Sequence, residues 1–130
     1  MPYSYVINRE RRLVITTGWG EFTLETVLEH QSALTKDPAF DPSFRQLADF
    51  TKVTKVSVDA EAVRTAASRR IFAPGSRRAI VVPSPELFGL ARMFATYREI
   101  YGGGEDLQVF TDKEEALRWL LEGPERTGAN

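Results

Sequence analysis

The chain contains no cysteine and one histidine among its 130 residues. The absence of cysteine excludes disulfides, thiolate zinc sites and cysteine nucleophiles, and a single histidine cannot supply a two-histidine metal site. No stretch approaches the roughly 20 consecutive apolar residues that span a bilayer, and Met1 to Arg12 lacks the basic-then-apolar order of a secretion signal. We therefore expect a soluble, cytoplasmic protein with no metal and no cofactor.

The spacing of apolar residues predicts five strands. The first two form an antiparallel hairpin, because a short polar segment joins an alternating run to a β-branched one. The later strands are short apolar runs, which are typical of buried parallel sheets. The predicted strands are Tyr3 to Ile7, Arg12 to Thr17, Phe44 to Phe50, Arg78 to Val82, and Leu107 to Phe110. Within the segment Phe44 to Phe50, the strand is expected to end at Asp49.

Four segments have helical periodicity. The first begins near Thr23 and stops near Asp37, before a proline. The second is predicted from Ser57, a good N-cap, to about Phe72. The third runs from Glu86 to Tyr101, and the fourth is opened by a capping box at Thr111 and Glu114 and ends at Gly123.

Strands separated by helices need crossover connections and pair in parallel. The predicted fold is therefore α/β, with one domain over residues 1–123 and a polar tail over 124–130. It contains a five-stranded, mostly parallel sheet, whose first strand is antiparallel, and four helices.

The segment order and several local strings together resemble the SpoIIAA-like, or STAS, family, and most of all its uncharacterised bacterial branch grouped with lipid-binding CRAL-TRIO domains. The resemblance covers Tyr5 to Leu121. Its carriers are Thr17-Gly18, Lys36-Asp37-Pro38-Ala39-Phe40, Leu47-Ala48-Asp49-Phe50-Thr51, Leu87-Phe88-Gly89-Leu90-Ala91-Arg92-Met93, Phe110, Glu115-Ala116 and Trp119-Leu120.

The resemblance implies a regulatory domain. Anti-sigma-factor antagonists in that family carry two short strings, the second of which holds a phosphorylated serine at a helix start. Here Asp49-Phe50-Thr51 matches the first string, whereas Ser57-Val58-Asp59-Ala60 does not match the second. Ser57 is the nearest hydroxyl to the expected switch, and a plain N-cap explains it as well.

Polar residues follow the strand ends, where open α/β sheets bind ligands. This rim holds Trp19, Asp49, Thr51, Ser84 and Asp112, with no base paired to a nucleophile. The one histidine, His30, is interpreted as a boundary surface residue of the first helix. Binding is therefore favoured over catalysis.

The charges are unevenly distributed. Between Ala62 and Pro85 lie five arginines and no acidic residue, so this block carries +5 and the rest of the chain −6. Arg70 falls within the apolar arc of the predicted second helix and must extend to solvent, pair, or meet a partner. The block can be a cationic face for anions or merely a solvated surface, and nucleic acid is not expected.

The third helix is apolar over roughly 240° of its circumference, more than the roughly 100° that one core-facing stripe needs. It is expected to leave an apolar flank for a lipid chain, a membrane surface or a second subunit. The function predicted is a non-enzymatic domain that binds an apolar anionic, lipid-like ligand or associates peripherally with membrane. The alternative is a phosphorylation-switched interaction module. The ligand-binding residues predicted are Trp19, Asp49, Thr51, Arg70, Phe88, Arg92, Met93, Phe94 and Tyr97, with Ser57 as the candidate phosphorylation site.

Overall fold

The structure, a computed structural model, describes residues 2–122. The predicted tail 124–130 and the predicted helix end at Gly123 lie outside that range. The elements in chain order are β1 (Tyr3–Asn8), β2 (Leu13–Thr23), α1 (Leu24–Lys36), β3 (Arg45–Ser57), α2 (Ala60–Ala67), β4 (Arg77–Val81), α3 (Pro85–Ile100), β5 (Asp106–Phe110) and α4 (Lys113–Leu121).

The five strands lie side by side in sequence order. Strand β1 pairs antiparallel with β2, and every later pairing is parallel. Each crossover steps in the same direction, and right-handed crossovers then place α1, α2 and α3 on the same face of the sheet. Helix α4, which follows the last strand, packs on the opposite face through Ala116 and Leu120. The predicted α/β fold is confirmed.

Alternation along the central strands separates two sets of side chains. In β3, Leu47 packs in the cluster that α4 covers, whereas Ala48 packs in the cluster beneath α3. In β4, Arg77 donates to the Trp119 carbonyl in α4, and its neighbour Arg78 points to the other face. This alternation decides which polar residues can share a site.

Strands β2 and β3 continue beyond their other partners as a two-stranded extension. Strand β1 pairs with β2 only as far as Gly18, and β4 pairs with β3 only as far as Asp49. Residues 19–23 still pair with residues 52–57, after a shift in register. Gly18 is required at the shift, because a Cβ there would lie 2.6 Å from Cζ of Phe22.

The predicted second helix is wrong at both ends. The segment 51–57 extends β3, and α2 spans only Ala60–Ala67, with Asp59 as the N-cap. Four of the six residues in the run Thr51-Lys52-Val53-Thr54-Lys55-Val56 are β-branched, which favours a strand. At α4 the cap is Asp112, whose carboxylate accepts from the Glu114 amide, and not Thr111.

Candidate ligand-binding site

A cavity of about 170 Å³ lies between the sheet and the helices α1 and α3. Its walls are mostly aliphatic and aromatic, and five polar side chains gather among the lining residues: Thr16, His30, Gln31, Gln46 and Arg78. The apolar lining includes Phe22, Val27, Leu34, Ala48, Phe50, Val53, Val56, Val58, Ile80, Leu87, Leu90, Ala91 and Phe94. A concave apolar site with a few polar groups is the usual form of a small-molecule site.

The polar side chains form a continuous hydrogen-bonded chain. Arg78 Nε donates to Gln46 Oε1 at 3.0 Å, and Gln46 Nε2 donates to Thr16 Oγ1 at 3.2 Å. Thr16 Oγ1 lies 3.1 Å from Nε2 of His30. Because Thr16 Oγ1 already accepts a hydrogen bond from Gln46, its own hydroxyl can donate to Nε2 of His30.

Behind this chain lies a buried ion cluster of two arginines and one glutamate. Arg78 Nη1 and Arg98 Nε each lie 2.9 Å from Glu105 Oε2. The three side chains are 9%, 4% and 1% exposed in the order Arg78, Arg98, Glu105. Two positive charges and one negative charge leave the cluster at +1.

The ionisation of the cluster follows from burial and proximity. Burial lowers the pKa of Arg78 to about 10, against the opposing effect of Glu105, so the guanidinium remains protonated at neutral pH. Burial alone would raise the pKa of Glu105, but the hydrogen bond from Arg98 and the charge of Arg78 hold that pKa below its ordinary value. The net positive charge is therefore present under physiological conditions.

The guanidinium of Arg78 lies near two aromatic rings, and its hydrogen bonds leave one nitrogen, Nη2, available. Its guanidinium lies 4.4 Å from the Phe72 ring centroid and 5.8 Å from that of Phe94, within the range of cation–π attraction. Within residues 2–122 its Nη2 makes no hydrogen bond. A buried guanidinium with one unused donor group at an apolar cavity is suited to an anion.

Gln31 adds an unsatisfied acceptor to the cavity wall. The residue is 8% exposed, and its Nε2 donates to the Ala66 carbonyl at 3.2 Å, which fixes the orientation of the amide. Its Oε1 is buried and accepts no hydrogen bond within residues 2–122. Leaving a buried polar atom unpaired costs about 1–3 kcal/mol.

His30 is half-buried, in agreement with the boundary position predicted for it, and its ring lines the cavity. Its ring meets Tyr3 and Tyr5 edge-on, with centroids 5.0 and 5.6 Å away. Burial, assisted by the charge of Arg78, lowers the pKa of His30 to about 4. The imidazole is therefore neutral at pH 7 and acts as a hydrogen-bond partner of Thr16.

Helix α3 has an inverted pattern of burial. Its one fully buried side chain is Arg98, which donates to the Ala67 carbonyl at 2.7 Å, whereas its apolar side chains are half-buried or, for Ile100, exposed. Leu87, Leu90, Ala91 and Phe94 face the cavity. The large apolar arc predicted for this helix is thus distributed between the cavity wall and solvent.

A groove of about 770 Å³ adjoins the cavity between the outer part of β3 and the first half of α3. Five apolar residues line both spaces: Val53, Val56, Val58, Leu87 and Leu90. Pro83, Gly89 and Met93 belong to the groove alone, and polar side chains such as Lys55, Ser84 and Glu86 also line it. The cavity and the groove are therefore neighbours that share an apolar wall.

The described range contains neither a metal site nor a membrane-spanning helix. Among residues 2–122, no three His, Cys, Asp or Glu side chains converge as a metal ion would require. No helix in that range is both long enough and apolar enough to cross a bilayer.

No family model and no curated protein matches the chain. Among solved structures it is similar to an uncharacterised protein of the DUF3478 family from Shewanella loihica PV-4, which has a SpoIIAA-like fold. The two chains are 21% identical, with a TM-score of 0.55, and the match covers 91% of this chain and 93% of the other. The protein has a SpoIIAA-like fold. At this identity the likeness concerns the fold, and it agrees with the resemblance drawn from the sequence.

Within the SpoIIAA-like fold, the predicted binding residues do not form one site. Phe94 lines the cavity, Met93 lines the groove, and Phe88 packs in the cluster beneath α3. The other predicted residues do not line the cavity. Four of them are exposed: Trp19, Thr51, Arg70 and Arg92. Asp49 and Tyr97 line neither the cavity nor the groove.

Asp49 is placed on the α4 side of the sheet. Its Oδ1 accepts from the Thr51 amide and hydroxyl, and its Oδ2 lies 3.1 Å from Nζ of Lys113. Burial would raise the pKa of Asp49, but these hydrogen bonds and the Lys113 charge keep it below the ordinary value. Asp49 and Thr51 thus form a separate polar cluster across the sheet from Phe94.

Ser57 is not a helix N-cap. It ends β3, and its hydroxyl donates to Glu21 Oε2 at 2.6 Å. Helix α2 begins three residues later, so the helix amides that would favour a phosphate are not at Ser57. Phosphorylation of Ser57 stays a prediction. The helix N-terminus no longer supports it, because α2 does not begin there.

The arginine block does not form a single cationic face. Arg64, Arg69 and Arg70 are exposed, and Arg70 lies beyond the end of α2 rather than in its apolar arc. Arg77 lies 5.0 Å from the Trp119 ring centroid on the α4 side, and Arg78 is buried on the cavity side. Sequence reasoning missed Arg78 as a site residue, although an arginine within an apolar strand could have indicated it.

Proposed function

We propose that this protein is a non-enzymatic binding domain whose cavity takes a small apolar anion, with Arg78 as the charge partner. One observation carries the proposal: a buried ion cluster of net charge +1 adjoins a cavity whose walls are mostly apolar. Buried charges are costly unless they are paired, and a monoanionic ligand would neutralise the cluster.

The hydrogen-bonding groups support a ligand with a polar head and an apolar body. Nη2 of Arg78 is available to an anionic head group. The remaining walls offer only apolar contact over most of their area. Such a division fixes a ligand's orientation through its head and adds affinity through its body.

The same geometry favours binding over catalysis. Thr16 and His30 make a hydroxyl–imidazole pair, but two tyrosine rings flank the imidazole where a catalytic histidine would need an orienting carboxylate. The low pKa of His30 also makes it a weak base near neutral pH.

The test uses three probes of equal chain length and different head charge: octanoate, octanol and octylammonium. Titration calorimetry should show that octanoate binds roughly tenfold or more tighter than octanol, because a charge-assisted hydrogen bond contributes about 1.5–3 kcal/mol. Octylammonium should not bind. Native mass spectrometry of the purified protein should detect a co-purified acid.

The variant Arg78→Met should remove the preference for octanoate over octanol. Arg98 still pairs with Glu105 in this variant, so the fold should survive. Arg70→Met, which removes an exposed arginine, is the matched control and should bind as the parent does. Equal affinity for octanoate and octanol in the parent would contradict the proposal. Binding to anionic vesicles without any octanoate binding would favour peripheral membrane association instead.

A further inference from the structure

The cavity and the groove differ in capacity, and this bears on the length of the ligand. The cavity holds about 170 Å³. An engineered cavity of about 150 Å³ accommodates benzene. An occupant with more than a short apolar body must therefore extend out of the cavity.

The shared wall provides the route. Val53, Val56 and Val58 on the β3 side face Leu87 and Leu90 on the α3 side in both spaces. Because β4 pairs with β3 only as far as Asp49, the outer part of β3 has a sheet neighbour only in β2. An extended apolar chain could therefore pass from the cavity into the groove along the apolar wall that the two spaces share.

The charge of the cluster distinguishes between classes of head group. Its net charge of +1 matches one carboxylate. A phosphomonoester carries about −1.5 to −2 at neutral pH and would leave an excess negative charge in a buried place. A carboxylate can accept a charge-assisted hydrogen bond from Nη2, the nitrogen of Arg78 that remains available.

We propose that the ligand is an unbranched long-chain monocarboxylate, whose head binds Arg78 in the cavity and whose chain leaves through the groove between β3 and α3. This inference rests on the proposed function. It adds the chemical class of the head, the length of the chain and its direction.

Gly89 supplies a test of the route. It lines the groove on α3, and a Cβ at this position would meet no atom within 4 Å. Gly89→Leu should therefore place a bulky apolar side chain in the groove with no clash at its Cβ, and it should also favour the helix. Gly89→Ala gains the same helix preference with little added volume and is the matched control.

The experiment measures the affinity of hexanoate, decanoate and tetradecanoate below their aggregation concentrations. In the parent protein, affinity should rise with each step in the series, since each buried methylene contributes up to about fourfold. Gly89→Leu should weaken tetradecanoate by roughly tenfold or more and leave hexanoate unchanged. Gly89→Ala should follow the parent for all three acids.

The outcomes separate this inference from the proposed function. If affinity stops rising at hexanoate, or if Gly89→Leu weakens no acid, the chain does not use the groove and the route is wrong, while binding of the short acid still stands. If none of the three acids binds, the proposed function itself fails. If tetradecyl phosphate binds tighter than tetradecanoate, the carboxylate assignment is overturned.

Discussion

Arg78 and Arg98 donate to the same carboxylate oxygen, Oε2 of Glu105, each at 2.9 Å. The two arginines reach it from different elements, β4 and α3, and Glu105 lies just before β5. The glutamate therefore joins the end of α3 and the segment before β5 to β4, which lies 27 residues earlier in the chain at Arg78. Its removal would leave two buried cations facing each other.

Glu105→Gln should destabilise the protein by about 3–5 kcal/mol, because breaking a buried pair leaves an uncompensated charge. Urea denaturation at neutral pH measures this directly. Glu86→Gln, at an exposed position in the first turn of α3, is the control and should change little. A loss below about 1 kcal/mol in Glu105→Gln would contradict a buried, charged cluster.

Gly103→Ala should destabilise the protein through the same cluster. A Cβ on Gly103 would collide with Nη2 of Arg98 and with Oε1 of Glu105. We expect a loss of about 1–3 kcal/mol, the usual range for a disturbed buried network. Gly89→Ala, which meets no neighbouring atom, should instead stabilise the helix by up to about 1 kcal/mol. Thermal unfolding of both variants compares them, and similar melting temperatures would rule out the collision.

The fold could be predicted from the sequence because each element carries a local signal. Periods of two and 3.6 located the strands and helices, and the alternation of strands with helices implied a parallel sheet. The prediction ends the third strand at Asp49 and begins a helix at Ser57, whereas β3 continues through Ser57. The extension that segment 51–57 forms pairs only with residues 19–23, and such long-range pairing is not visible locally.

The site could not be predicted in the same way. Its polar groups come from β2, α1, β3, β4 and the segment before β5, so their meeting depends on strand register and on which face each residue occupies. Phe94 and Met93 were recognised because a helical wheel shows them. Arg78 was counted as part of a surface block, since net charge does not reveal that its neighbour Arg77 points to the opposite face.

Asp49→Asn should leave octanoate affinity unchanged. The carboxylate pairs with Lys113 on the α4 side, with the sheet between it and the cavity. Because Lys113 is about half exposed, the loss of stability should also be small, under about 1 kcal/mol. Calorimetric titration of octanoate into Asp49→Asn and into Arg78→Met compares the affinities of the two variants. A similar loss of octanoate affinity in both variants would mean that the ligand binds at the strand ends, as the sequence alone suggested.

His30 should make stability fall between about pH 6.5 and pH 4. The folded-state pKa is about 4, against an ordinary value of 6.5, so the unfolded chain takes up a proton in this window and the folded chain does not. The shift corresponds to a loss of up to about 3 kcal/mol by pH 4. Stability is fully retained above the ordinary value, where both states are neutral.

The variant His30→Gln isolates this contribution, because it removes the titrating ring and keeps a hydrogen-bonding partner for Thr16. Urea denaturation of both proteins at several pH values from about 7 to 4.5 gives the difference in unfolding free energy, in which the carboxylates common to both chains cancel. That difference should shift in favour of His30→Gln as the pH falls. A difference that stays constant over the range would mean that His30 titrates normally, with its ring open to water rather than enclosed beside Arg78.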